Sequence, residues 1–92
     1  MSAAPAARRL VVSGRVQGVF FRASCQEQAR ALDLSGWVRN TSAGTVEAWV
    51  EGEPDRIDEL VRWCRDGPGR ADVDEVEVHE ESPAGVTGFH VR

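Results

Sequence analysis

The stretch RRLVVSGRVQGVFFRASCQEQARAL, residues 8–32, runs through two kinds of hydrophobic periodicity separated by a glycine-containing loop. Arg8 to Ser13, apolar from Leu10 to Val12, predicts a short buried strand ending at Gly14. Phe21, Cys25, Gln28 or Ala29, and Leu32 then recur at helical spacing through an alanine-rich segment that stops at the Asp33 to Gly36 breaker. Between them, Gly14 to Arg22 occupies the start of the helix, where unpaired amides and the positive end of the helix dipole favour an anion. The glycines let the backbone curl into a concave nest of N–H groups. Arg22 at its end adds a permanently charged fork suited to phosphate oxygens.

Working outward, Ser35 to Thr41 and Thr45 to Glu51 read as two strands of a hairpin turning through Ser42, Ala43 and Gly44. Pro54 suits the first turn of a second helix with an apolar stripe of Ile57, Leu60, Val61 and Cys64, stopped at Asp66-Gly67-Pro68-Gly69. Val73 to Glu80 alternates valines with carboxylates, as a half-buried strand does, and Gly88 to Arg92 adds a short final strand with Phe89 and Val91 inward. The resulting β-α-β-β-α-β order predicts an α+β, ferredoxin-like sandwich, an antiparallel sheet with two helices on one face. Residues 8–92 form the domain, and residues 1–7, MSAAPAA, are expected to be a flexible extension with little to bury.

Composition narrows the chemistry. With 92 residues and 41% apolar content, the chain has room for one modest core. No apolar run is long enough to span a membrane, and MSAAPAA lacks the apolar centre of a secretory signal, so a cytoplasmic protein is expected. The formal charge of −4 repels nucleic acid and anionic membranes, so an anionic ligand must be held by a local site. All eleven basic residues are arginine, which removes Schiff-base lysine chemistry and the Walker-type lysine. Cys25, Cys64, His79 and His90 do not have zinc-site spacing, so neither a metal nor another cofactor is expected.

Gly14 to Arg22 resembles the G-x-V-Q-G-V-x-F-R stretch of the acylphosphatases, and Gly36-Trp37-Val38-Arg39-Asn40, with Gly44, Val46 and Gly52 following, is similar to their second pattern. The similarity runs over nearly the whole chain; the N-terminal extension and an end at Arg92 without a closing aromatic depart from it. The resemblance implies hydrolysis of acyl phosphates to carboxylate and inorganic phosphate by a monomer without metal. The phosphoryl group would lie on the amides of Val16, Gln17, Gly18, Val19, Phe20, Phe21 and Arg22, with the Arg22 side chain as catalytic cation and Asn40 orienting the attacking water. In such a fold the first two strands run parallel with the third between them. Gly14 and Asn40 then share one sheet edge across two strand spacings, roughly 9–10 Å, enough for a phosphate and a water.

Other readings of the same residues carry less. Cys64 to Arg70 fits the C-x5-R spacing of cysteine-dependent phosphatases, but Cys64 falls near a helix C-terminus on the apolar stripe, where nothing lowers a thiol pKa. Phe20 and Phe21 suggest the base-stacking aromatics of a nucleic-acid-binding sheet, yet the acidic balance opposes that. Arg15, Ser24, Arg39 and Thr41 are left outside the core site. The rival function is a non-catalytic domain that holds acyl or carbamoyl phosphate in the same cradle, and a freestanding chain is expected to be the hydrolase instead.

Overall fold

The computed structural model describes residues 4–92. Its elements are β1 (Ala6–Arg15), α1 (Phe21–Ala31), β2 (Ser35–Asn40), β3 (Val46–Gly52), α2 (Pro54–Asp66), β4 (Asp72–Glu81) and β5 (Phe89–Val91). The first six reproduce the expected β-α-β-β-α-β order, with ends displaced by up to two residues. The largest displacement is at the start. Ala6 and Ala7 belong to β1, opposite Gly52 and Glu51, and Ala7 is fully buried, so these two residues are not part of a flexible extension. The remainder of the expected extension falls on residues 1–3, outside the described residues, and on exposed Ala4 and Pro5.

The strands form one sheet in the order β4-β1-β3-β2-β5. β1 and β2 each run antiparallel to β3 from opposite sides, so they are parallel to each other. Val12 of β1 and Asn40 of β2 both lie opposite Val46. The β1 register shifts between Ser13 and Gly14, a bulge that breaks the regular pairing just before the loop.

β5 completes the sheet by pairing parallel with β2, so the sheet is mixed rather than wholly antiparallel. The ferredoxin-like α+β arrangement is retained. Phe89 is buried as expected, but Val91 is 41% exposed and lines a cleft instead of the core.

The core lies between the helices and one face of the sheet. Leu10, Val12, Val38, Val46, Ala48 and Val50 from the strands meet Phe21, Cys25 and Ala29 of α1 and Ile57, Leu60, Val61 and Cys64 of α2. Of the two residues the helical spacing left open in α1, Ala29 faces the core and Gln28 faces solvent. Packing of Phe21 on Trp63, centroids 5.4 Å apart, joins the two helices at the end where α1 begins.

Candidate active site

Where β1 ends, the chain turns through Val16 to Phe20 before α1 begins at Phe21. Among the described residues, the main-chain amides from Gln17 to Arg22 donate to no backbone or side-chain acceptor. Their free donors are what a helix start offers an anion. The residue before the helix, Phe20, has φ 62 and ψ 23, a left-handed conformation unusual for a bulky side chain, and it supplies no side-chain cap. Such a conformation costs on the order of 1–3 kcal/mol and persists only where surrounding structure imposes it. Gly18, at φ 73, supplies the other left-handed turn of the loop.

The loop is anchored from below and from the side. Val16 is 1% exposed and holds the loop to the core. Gln17 reaches across to the β2–β3 turn, its Nε2 donating to the carbonyls of Thr41 and Thr45, each at 2.9 Å. Thr41 and Thr45 in turn share a hydroxyl hydrogen bond of 2.6 Å, and the Thr41 amide donates to the Thr45 carbonyl. This bracket sits one residue beyond Asn40, so it ties the loop to the strand end that carries the asparagine.

A cleft of about 350 Å³ opens between these parts, lined by Val16, Gly18, Phe20, Phe21, Arg22 and Asn40, with Ala23 and Val91 at its edge. The structure thus brings Arg22 and Asn40 into one cleft although 18 positions separate them in the chain. Two residues expected along the cradle contribute differently with their side chains. Gln17 forms the bracket to the hairpin, and Val19 faces a neighbouring cleft.

Asn40 Oδ1 is sealed from solvent and has no hydrogen-bond partner. A buried polar atom left without a partner costs about 1–3 kcal/mol, the kind of debt a functional site carries until ligand or water meets it. Arg22 Nη1 donates to the main-chain oxygen of Arg92 at 3.3 Å, leaving the remainder of its fork at the cleft. The Arg92 guanidinium itself lies 4.5 Å over the Trp37 ring. Motif reading did not mark the bracketing role of Gln17 or the involvement of the final residues. A glutamine between a loop glycine and a strand end was the available signal for the first.

The cysteines lie elsewhere. Cys64 is buried on α2, and its hydrogen bond with Cys25 together with burial pushes its thiol well above the ordinary range. A thiol so disposed does not supply a thiolate nucleophile, and Arg70 of the C-x5-R spacing is exposed in the loop after α2. Among the described residues no three His, Cys, Asp or Glu side chains converge as metal ligands, and no helix is long and apolar enough to cross a membrane.

A split βαβ sandwich with a free-amide loop, an arginine and an asparagine around one cleft defines an α+β domain whose cleft offers the donors and positive charge that suit an anion. Sequence comparison places it further: the acylphosphatase family model matches residues 8–91, and the chain belongs to the acylphosphatase family. It is 59% identical to the acylphosphatase of Rubrobacter xylanophilus over 91% of this chain and 77% of that protein. The solved acylphosphatase of Coxiella burnetii superimposes with a TM-score of 0.92 at 42% identity, covering 96% of this chain and 93% of that one. Full-length HypF, in a phosphate- and nucleotide-bound structure, contains a similar region at TM-score 0.91 and 31% identity, but this chain covers only 12% of it. Like the family it belongs to, the chain is an enzyme that hydrolyses acyl phosphates. Similarity to acylphosphatases along most of their own length favours this over a non-catalytic binding domain.

Proposed function

We propose that the phosphoryl group of an acyl phosphate rests on the amides from Val16 to Arg22, that the Arg22 guanidinium neutralises its equatorial oxygens, and that Asn40 orients the attacking water. The observation that carries this reading is the cleft itself, which gathers unused amide donors, a cation and an unpartnered amide oxygen at one sheet edge. Phosphoryl transfer needs little beyond charge neutralisation and in-line positioning of the nucleophile. The Asn40 side chain, which lines the cleft, hydrogen-bonds the water and aims its lone pair at phosphorus.

As the water oxygen bonds to phosphorus, the bond from phosphorus to the acyl oxygen breaks and its electron pair leaves with the carboxylate. The water's protons are retained on the phosphate, one passing to a non-bridging oxygen of the substrate, so no enzymatic base is required. No acid is required either, because a carboxylate with a pKa of about 4 leaves as the anion. The products are a carboxylate and inorganic phosphate, and the reaction proceeds without metal or cofactor.

Both walls of the cleft come from one chain, which supports action as a monomer. Two free buried cysteines are in keeping with a cytoplasmic location. Release of phosphate from benzoyl phosphate, followed with and without EDTA, tests the mechanism. Asn40→Ala is expected to lower kcat about 100- to 1000-fold while phosphate still inhibits, whereas Arg22→Ala loses both turnover and phosphate inhibition. Near-normal hydrolysis by either variant, or loss of wild-type activity in EDTA, rules the mechanism out.

A further inference from the structure

We infer that the acyl half of the substrate passes over Phe20 into a second cleft, and that Arg70 on its wall selects acyl groups carrying a distal anion. This rests on the site assignment just given and extends it to the leaving group. The second cleft, about 340 Å³, is lined by Val19, Ser24, Pro68, Gly69 and Arg70, and it shares Gly18 and Phe20 with the first. Only the crest of the loop separates the two.

In-line displacement sets the attacking water and the leaving oxygen on opposite sides of phosphorus. Asn40 lines the first cleft and not the second. A water held at Asn40 therefore sends the acyl group away from that wall and across the crest. There it meets Phe20, 83% exposed and the most exposed large apolar side chain described, with Val19 and Pro68 beyond it.

Arg70 supplies the charge. It lies after a turn fixed by the Ala71 amide donating to the Pro68 carbonyl at 2.9 Å. It is exposed and, among the described residues, enters no ion pair, even with its chain neighbours Asp66 and Asp72. An uncommitted cation at the mouth of an apolar cleft, in a chain of net charge −4, fits an acyl group ending in a carboxylate or phosphate.

The test compares benzoyl phosphate with 4-carboxybenzoyl phosphate, which differ only in the distal carboxylate, on the full chain and on Arg70→Gln and Arg70→Glu. The ratio of kcat/KM for the carboxylated over the plain substrate is expected to fall about 2- to 5-fold in Arg70→Gln, the scale of a partly exposed ion pair, and further in Arg70→Glu. Added salt should bring the wild-type ratio toward that of Arg70→Gln. The same ratio in all three proteins overturns the role of Arg70. Wild-type turnover of plain benzoyl phosphate tests the hydrolytic site separately: an invariant ratio with normal turnover removes the acyl subsite alone.

Discussion

At Glu51 a carboxylate 7% exposed is kept ionised by the N–H groups aimed at it. Burial alone would raise its pKa, but the amides of Ala84, Gly85 and Val86 and the Trp49 indole donate to its two oxygens and bring it below the ordinary carboxylate value. A folded pKa depressed below the unfolded one adds stability that is fully present above the unfolded pKa, about 4.3, and is lost as pH falls through the folded pKa. Glu51→Gln is expected to cost about 1–3 kcal/mol at pH 7. Thermal melts between pH 7 and pH 3 should show the gap between wild type and variant closing on the acid side; a constant gap would contradict it. Gly36 is constrained more simply. A Cβ there would lie 1.7 Å from the Trp49 carbonyl oxygen, and φ is 141°, so Gly36→Ala should destabilise the fold by more than about 3 kcal/mol in urea titrations.

The element that depends on Glu51 is β5. The carboxylate gathers the loop at residues 84–86, which leads into Gly88, whose carbonyl accepts from the Gly36 amide, and the Arg92 amide closes the pairing on the Val38 carbonyl. From α1, Gln26 Nε2 and Arg30 Nη2 both donate to the Phe89 carbonyl, at 3.0 and 3.2 Å. The strand is short, but its Phe89 is a buried core side chain, and its end delivers Val91 to the cleft and the Arg92 oxygen to Arg22. Phe89→Ala is expected to cost about 3–5 kcal/mol. Because the strand also orients Arg22, benzoyl-phosphate turnover should fall even at temperatures where the variant remains folded by circular dichroism. Full activity in the folded variant would detach β5 from the site.

Over the whole molecule, the helical layer and the sheet share one core, so they should unfold together. The three tryptophans report on both layers, Trp63 on α2 and Trp37 and Trp49 facing each other across β2 and β3. Urea unfolding followed by tryptophan fluorescence and by far-ultraviolet circular dichroism is expected to give coincident transitions. Separate midpoints would mean that the layers part before the chain unfolds.

Much of this architecture was legible because local periodicity is decided by local sterics and by which side of an element meets the core. The spacing of Phe21, Cys25 and Ala29, Pro54 at a helix start and the alternation of Val46, Ala48 and Val50 needed no tertiary knowledge. The free-amide loop was equally readable, since a glycine turn into a helix exposes donors whatever surrounds it. What tertiary structure alone decided was the company those residues keep. β5 carries too few residues to announce its direction, and only pairing with β2 made it parallel and left Val91 exposed. Gln17 looked like one more cradle residue until Thr41 and Thr45 came within its reach, and Glu51 resembled its solvated neighbours until the 84–86 loop folded onto it. Hydrogen bonds between residues far apart in the chain depend on closing the sheet, and no local pattern encodes where that closure brings a side chain.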